Sequence, residues 1–273
     1  METIAFHSYR GGVGKTLLSV NTAVKLATLE KKVCLVDFDL RAPSLQSYLP
    51  SKYLIEEPGK KTLTEFLVGN VEPKDVVFST NIPNFNCVFS GIEILQQSKV
   101  RSKLTQHGEG RILAKLFEFI RYCNSQNYEF LIIDCMPGVT FRSLDALIVS
   151  DKIMIVTRPV RSEVEGLNLL VSECYSKLEG VEFFAIMNQI EHREDIAFEP
   201  NHMDVKVAEE NVQLIWDTLR NNSKSLTIRP IYSFRRIPFV TERIYVLREN
   251  DHSFSQDIEK FCNNLLESGI LQK

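Results

Sequence analysis

The sequence predicts a single three-layer α/β domain over residues 1–273, with a mostly parallel central sheet and helices on both faces. Apolar runs of strand length recur without polar alternation, as in KVCLVDFD at 32–39 and YEFLIIDC at 128–135. Runs of this kind are typical of parallel strands that are buried on both faces. Longer segments with helical spacing of apolar residues lie between such runs, and this alternation indicates βαβ units.

Composition narrows the class of protein. The chain has 273 residues, 44% hydrophobic and 25% charged, which is usual for a globular protein with one large domain or two small ones. A net charge of −3 disfavours attraction of the whole molecule to nucleic acid or anionic lipid. The six cysteines form no C-x-x-C pair, so we expect reduced, apolar fillers in a cytoplasmic protein. Because the first strand begins by Thr3, we expect no signal peptide. No stretch approaches about 18 uninterrupted apolar residues, so we expect no membrane span.

The first strand, at 3–6, leads into a glycine-rich turn at 10–16 and then a helical pattern. Strand, glycine loop and helix together are the context of a phosphate-binding loop, which makes the fold of the P-loop NTPase type. Lys15 would reach the β- and γ-phosphates, and the Thr16 hydroxyl would ligate Mg²⁺. The same glycines are also consistent with a plain turn between strand and helix. The predicted nucleotide-binding residues of the loop are Gly11, Gly12, Val13, Gly14, Lys15, Thr16 and Leu17.

The loop departs from the standard motif at two positions. Tyr9 stands where G-x-x-x-x-G-K-[ST] has its first glycine, and a second cation, Arg10, precedes the glycine pair. R-G-G-V-G-K-T resembles the deviant Walker loop, K-G-G-x-G-K-[ST], of the MinD/ParA family of ATPases. The resemblance implies ATP and Mg²⁺ as cofactors and a homodimer when ATP is bound. It also implies that Arg10, in place of the family's lysine, crosses to the nucleotide of the partner, so that Lys15, Asp39 and Arg10 are catalytic.

Two carboxylates, Asp37 and Asp39, follow the second apolar run. Ligands bind at the carboxyl ends of parallel strands, so both should lie beside the phosphate loop and favour Mg²⁺ and water handling. Asp39 or Ser44 could instead cap the next helix. The resemblance assigns Asp37 to the Mg²⁺ shell, Asp39 to orienting the attacking water, and residues 40–44 to the first switch.

Residues Asp134 to Gly138, DCMPG, follow the apolar run at 128–135 and resemble the second switch of the family, D-x-x-P-G. Asp134 would hold Mg²⁺ in the Walker B manner, and Gly138, after Pro137, could present an amide to the γ-phosphate. The alternative is that Asp134 caps the helix after this loop.

Two later residues are nucleotide-binding candidates. Asn188 ends a predicted strand, and a side-chain amide has both the donor and the acceptor that reading an adenine edge requires. The resemblance implies that role for Asn188 and places Pro238, in Ile-Pro-Phe, in a loop against the base. Without the resemblance, an asparagine at this position is equally consistent with a turn residue.

The remaining elements follow from periodicity. The stretch from Pro50 to Gln106 is the least legible and predicts connecting helices and one strand. The helix predicted at 110–127 should bury Leu113, Phe117, Ile120 and Cys123. The other predicted elements are a capped helix at 62–68, strands at 84–90, 152–157, 181–189 and 226–234, a helix at 162–178, helical sequence from about 205, and a last helix at 254–266 that packs on the body.

One segment is strongly basic. Residues 220–248 carry seven cations against the single acid Glu242 in a chain whose net charge is −3. In ParA-like members, carboxyl-terminal cations bind DNA without sequence readout, which requires only phosphate contacts. Scattered solvated arginines are the alternative. The candidate DNA contacts are Arg220, Lys224, Arg235, Arg236 and Arg243.

These features together predict a slow ATPase switch of the partition or positioning type, stimulated by a protein activator or cargo adaptor. Two other classes stay open. One is an enzyme of the same fold that transfers phosphate to a small metabolite, whose acceptor site could lie between residues 50 and 106. The other is a scaffold that binds nucleotide without hydrolysing it, against which the retained carboxylates argue.

Overall fold

The computed structural model describes residues 1–69, 71–91, 109–190, 210, 213–215, 217, 228–235, 244–248 and 252–270. Within these residues, eight strands form one sheet in the order β3-β4-β2-β5-β1-β6-β7-β8. The strands are β1 Glu2–His7, β2 Val33–Phe38, β3 Phe78–Ser79, β4 Phe85–Val88, β5 Phe130–Cys135, β6 Lys152–Thr157, β7 Glu182–Ile190 and β8 Ile228–Arg235. Every pairing is parallel except that of β3 with β4. The mostly parallel sheet that the sequence predicts is therefore confirmed.

Helices cover both faces of the sheet. They are α1 Lys15–Thr28, α2 Leu45–Tyr48, α3 Leu63–Val68, α4 Pro73–Val76, α5 Glu109–Ser125, α6 Phe141–Ile148, α7 Arg161–Glu173, α8 Tyr245–Arg248 and α9 Ser253–Ile270, with 3-10 turns at Ser51–Tyr53 and Tyr175–Lys177. Two separate apolar clusters result, because side chains alternate along each strand. Ile4 and Phe6 of β1 lie in one cluster, and Ala5 lies in the other. The three-layer arrangement is thus confirmed.

The terminal helix packs on the body of the protein, as the sequence predicts. Phe254, Ile258 and Phe261 of α9 are fully buried in the same cluster as Leu18 of α1. Burying each such side chain contributes roughly 1.5–3 kcal/mol. An ion pair of 3.2 Å between Lys25 Nζ and Glu259 Oε1 joins the outer faces of the two helices.

The predicted buried stripe of α5 is wrong at Phe117, which is 43% exposed, and confirmed at Cys123, which is buried. Leu113 and Ile120 are half buried against the core, and the most buried stripe is Ile112, Leu116 and Phe119. Apolar residues occupy both neighbouring stripes of this helix, so spacing alone does not choose between them. Contact with α3 makes the choice, because the ring of Phe119 lies edge-on against Phe66, 6.0 Å between centroids.

The stretch between residues 50 and 91 contains short elements, as expected. Thr62 caps α3 through a capping box with Glu65, which confirms the predicted short helix. The strand predicted at 84–90 is β4. The predicted helix at 162–178 ends earlier, at Glu173, and gives way to a 3-10 turn. Residues 92–106 and most of the helix predicted from residue 205 lie outside the described residues.

Candidate functional site

The glycine-rich loop joins the end of β1 to the start of α1. Gly14 is the N-cap of α1 with φ +93°, a left-handed conformation that side-chain-bearing residues rarely adopt. No side chain caps this helix, so its first amides are left for a ligand. Such amides and the positive end of the helix dipole favour a bound anion. Lys15 begins the helix and is 7% exposed, and Leu17, half buried, packs against the core.

Two side chains from the end of β7 hold this loop from behind. Asn188 Nδ2 donates to the carbonyl of Val13 at 2.8 Å, and Gln189 Nε2 donates to the carbonyl of Gly12 at 3.2 Å. A Cβ on Gly14 would lie 2.2 Å from Asn188 Nδ2, so only glycine allows this approach. Asn188 therefore lies at the phosphate loop, where it fixes the backbone. Its role in reading adenine stays a prediction.

Asp37 and Asp134 lie side by side at the carboxyl ends of β2 and β5. They are direct register partners in the parallel pair, and each is 1% exposed. Burial, reinforced by the charge of Asp134, raises the pKa of Asp37 to about 8. Burial also raises the pKa of Asp134 to about 6, although Thr16 and Lys15 oppose that rise. Two buried carboxylates held this way create a strong demand for a cation.

The Thr16 hydroxyl connects α1 to β5 and to the residue before α2. Its Oγ1 lies 2.6 Å from Asp134 Oδ2 and 2.8 Å from Ser44 Oγ. Because a carboxylate only accepts, the Thr16 hydroxyl donates to Asp134, and Ser44 must then donate to Thr16. The predicted metal ligands Thr16, Asp37 and Asp134 therefore come together.

This oxygen set fits Mg²⁺. The Oδ1 atom of Asp134 is buried without a hydrogen-bond partner among the described residues. A buried carboxylate oxygen of this kind is suited to bind a metal ion. No group of three or more His, Cys, Asp or Glu side chains in the described part of the chain could hold a metal by itself. Mg²⁺ is usually bound by one or two carboxylates together with substrate phosphates, so that result agrees with a shared site.

Asp39 lies just beyond the end of β2, directly before residues 40–44, the segment that resembles the first switch. Its Oδ1 accepts from the amides of Arg41 at 3.2 Å and Ala42 at 3.0 Å, so the loop backbone orients this carboxylate. The amides of Ser44 and Leu45 donate instead to Asp37 Oδ2, each at 3.1 Å. Asp37 thus performs the capping of α2 that we considered for Asp39 or Ser44.

The second predicted switch touches the entrance of the phosphate loop. Gly138, with φ +77°, donates its amide to the carbonyl of Ser8 at 2.8 Å. Pro137 Cγ would lie 4.0 Å from a Cβ on Gly11. Thr140 forms a capping box with Ser143 at the start of α6, so the cap considered for Asp134 belongs to Thr140.

The two residues that depart from the standard motif pack together. The Arg10 side chain is exposed, and its Cζ lies over the Tyr9 ring at 5.9 Å from the centroid. The Tyr9 ring packs against Gly166 of α7, where an added Cβ would come within 1.9 Å of Tyr9 Cδ1. The Tyr9 ring thus occupies the space that a side chain at position 166 would fill.

Several residues that the sequence analysis predicts as contacts lie outside the described residues. They are Pro238, Arg220, Lys224, Arg236 and Arg243. Arg235 is the last residue of β8, the strand at one edge of the described sheet. Among the helices that the structure describes, none is both long enough and apolar enough to cross a membrane.

Sequence reasoning missed the residues that brace the loops. They include Gln189 and also His7, whose Nε2 lies 3.0 Å from the carbonyl oxygen of Gly138. A polar pair at the end of a strand, Asn188-Gln189, was the available signal for the first. The signal for His7 was a titratable residue directly after the apolar residues Ile4 to Phe6, at the carboxyl end of a strand.

Comparison with known proteins places this geometry in context. A family model described as an AAA domain matches residues 1–179. The sporulation initiation inhibitor protein Soj of Bacillus subtilis (strain 168) is 30% identical over 171 residues, which cover 63% of this chain and 64% of that protein. The match therefore spans slightly less than two thirds of that relative.

Solved structures extend the likeness to the whole fold. MinD in the MinC:MinD cell division protein complex of Aquifex aeolicus has a TM-score of 0.72 at 21% identity, over 98% of this chain and 96% of that chain. The septum site-determining protein MinD of Pyrococcus horikoshii OT3, complexed with Mg-ADP, has a TM-score of 0.68 at 19% identity, over 97% and 95%. At these identities the likeness shows the fold.

Proposed function

Because the chain belongs to the MinD/ParA family of deviant Walker-A ATPases, matched over residues 1–179, we propose that it is an ATP-dependent dimerising switch of the partition or positioning type. ATP and Mg²⁺ bind, two copies close across the nucleotides, and hydrolysis separates them. The observation that carries this proposal is the convergence of Lys15, Thr16, Asp37 and Asp134 at the carboxyl ends of β2 and β5, with Thr16 Oγ1 2.6 Å from Asp134 Oδ2.

The phosphates are bound by positioned charge and backbone dipoles. The uncapped start of α1 and the amides from Gly11 to Leu17 receive the oxygens, and Lys15 adds a buried cation beside them. Asn188 and Gln189 keep two loop carbonyls turned back, which directs the neighbouring amides toward the ligand. Little of the loop then reorganises when the phosphates arrive, and this preorganisation favours charge stabilisation in the transition state.

Thr16, Asp37 and Asp134 would hold Mg²⁺. When bound, the ion neutralises negative charge on the phosphates. Asp39, with its carboxylate fixed by two loop amides, orients the attacking water. Arg10 supplies a further cation to the partner's nucleotide, and its exposure leaves it accessible to a second copy. Hydrolysis by these groups is slow, and a protein activator or cargo adaptor speeds it.

Relatives suggest which assemblies to test. Soj of Bacillus subtilis is named for sporulation control, and the Aquifex aeolicus structure is a complex of MinD with MinC. By analogy, we extend the proposal to a cytoplasmic ATPase whose dimer binds a protein cargo. Non-specific DNA is a further ligand, bound by Arg220, Lys224, Arg235, Arg236 and Arg243.

The test separates binding, dimerisation and hydrolysis. Lys15→Ala should abolish binding of Mg-ATP in calorimetry, because the loop loses its buried cation. Asp39→Ala should keep binding, hydrolyse at least tenfold more slowly (roughly 1.4 kcal/mol), and elute as a dimer with ATP but as a monomer with ADP. The matched control is Asp75→Ala, which changes a carboxylate in the first turn of α4. Normal ATP turnover by Asp39→Ala would overturn the assignment of that residue. Absence of Mg-nucleotide binding by the unaltered protein would overturn the whole proposal.

A further inference from the structure

A buried chain of hydrogen bonds lies behind the second switch. His7 Nδ1 is 2.7 Å from Tyr175 Oη, and His7 Nε2 is 3.0 Å from the carbonyl oxygen of Gly138. Both side chains are fully buried, and their rings meet edge to face at 5.8 Å between centroids. This chain therefore connects the 3-10 turn after α7, through the last residue of β1, to the switch loop.

The direction of each bond follows from the groups that make it. A carbonyl oxygen only accepts, so the proton of the imidazole is on Nε2 and is donated to Gly138. Nδ1 is then the acceptor for the Tyr175 hydroxyl. Burial lowers the pKa of His7 to about 4, so the ring is neutral at physiological pH and makes both bonds in that form.

Gly138 is held at both of its backbone polar groups. Its carbonyl accepts from His7 and also from Ser143 Oγ at 2.7 Å, and its amide donates to the carbonyl of Ser8 at 2.8 Å. An amide has one proton, so this amide cannot donate to a phosphate while it is bonded to Ser8. In this conformation, therefore, the backbone of Gly138 is bonded to His7 and Ser8 at the end of β1, and its amide is not available to a ligand.

We propose that His7 is a positioning residue that, oriented by Tyr175, latches Gly138 against the end of β1 and so sets how readily the second switch changes conformation. The latch holds the Gly138 carbonyl and so resists the backbone rotation at Gly138 that would free its amide for a γ-phosphate. Removing the latch should therefore favour the ATP-bound conformation over the ADP-bound one. This last consequence rests on the proposed function, whereas the latch itself does not.

The test begins with protein free of nucleotide. Tyr175→Phe keeps the ring and removes the hydroxyl, and His7→Leu removes both bonds. Hydrogen exchange of the Gly138 amide should accelerate about fivefold in Tyr175→Phe, the factor for one ordinary hydrogen bond, and more in His7→Leu. The matched control is Tyr128→Phe, because the Tyr128 hydroxyl is also buried and bonded, 3.0 Å from Asn86 Oδ1, at the opposite end of β5. It should leave Gly138 exchange unchanged.

A second measurement separates positioning from general loosening. The affinity for a non-hydrolysable ATP analogue relative to ADP should rise about fivefold in Tyr175→Phe and stay unchanged in Tyr128→Phe. Unchanged Gly138 exchange in Tyr175→Phe would overturn the latch, whatever the protein does with nucleotide. If exchange accelerates but the ratio of affinities does not change, the latch does not control the switch. A failure of the unaltered protein to bind nucleotide would count against the proposed function and leave the exchange result standing. Should His7→Leu not fold, Tyr175→Phe carries the test alone.

Discussion

Buried charged groups lie at both ends of the central strands, but they are paired with opposite charges at one end and with like charges at the other. At the amino ends, Lys152 is 3% exposed and its Nζ lies 2.5 Å from Glu2 Oε1 of the neighbouring strand. Nearby, Asp151 Oδ2 accepts from the Thr3 amide at 2.7 Å. At the carboxyl ends, Asp37 and Asp134 are equally buried but face each other, and burial raises the pKa of both.

This difference separates a structural end of the sheet from the end where we propose that the nucleotide and Mg²⁺ bind. Opposite charges at the amino ends compensate each other, so they stabilise the fold once both are present. Like charges at the carboxyl ends leave a cost that a bound cation would remove. Carboxylates whose pKa values are strongly raised by burial and by a charged neighbour cluster at functional sites. Three substitutions test this comparison, from the largest expected effect to the smallest.

Asp134→Asn should have the largest effect, with opposite signs for activity and stability. Loss of the carboxylate should lower Mg²⁺-dependent ATP turnover by at least about 100-fold, the scale for a group that organises transition-state charge. The folded pKa of Asp134 lies above the unfolded value, so the folded state binds its proton more tightly and stability falls as pH rises from about 4 to about 6. Above that window the substitution should stabilise the Mg²⁺-free protein by about 3 kcal/mol.

Urea unfolding at pH 4 and pH 8, without Mg²⁺, measures this reversal. The two proteins should be nearly equal in stability at pH 4 and differ at pH 8, where the carboxylate would be charged. The gain should shrink when Mg-nucleotide is added, because only the unaltered site then binds its cation. If Asp134→Asn were less stable than the unaltered protein at pH 8, the carboxyl end would not carry uncompensated charge and the comparison would break.

Glu2→Gln should show the reverse behaviour at the other end of the sheet. It removes the carboxylate charge that pairs with the buried Lys152, which should destabilise the protein by about 2 kcal/mol in urea unfolding. ATP turnover at a temperature where the variant stays folded should not change. Lys31→Met is the matched control, because it breaks the exposed pair of Lys31 with Glu129, 3.0 Å apart, and should cost less than about 1 kcal/mol. An activity loss in Glu2→Gln comparable to that of Asp134→Asn would erase the distinction between the ends.

The carboxyl end of the sheet was the more predictable of the two. Asp37 and Asp134 follow apolar runs, and the rule that ligands bind at the carboxyl ends of parallel strands brings them to one place. Their adjacency in the sheet confirms that reasoning. The supports of the site were not predictable in the same way. His7 and Tyr175 are 168 residues apart in the chain, and no local pattern joins them. The buried face of α5 was likewise decided by tertiary packing, since two apolar stripes were available.

Tyr9→Leu should have the smallest effect, and it tests the comparison at Arg10, an exposed cation of the phosphate loop. The Tyr9 ring, seated against Gly166, supports the Arg10 guanidinium at 5.9 Å, and an exposed cation–π contact of this kind contributes about 0.5–1 kcal/mol. If that contact orients Arg10 for the partner's nucleotide, Tyr9→Leu should lower the ATP turnover of the dimer about threefold. Tyr9→Phe, which keeps the aromatic face, should retain full turnover, and both variants should bind ADP as the unaltered protein does. Steady-state turnover at protein concentrations above and below dimerisation measures the effect. Equal turnover in Tyr9→Leu and Tyr9→Phe would show that the ring fills the space beside Gly166 and does nothing for Arg10.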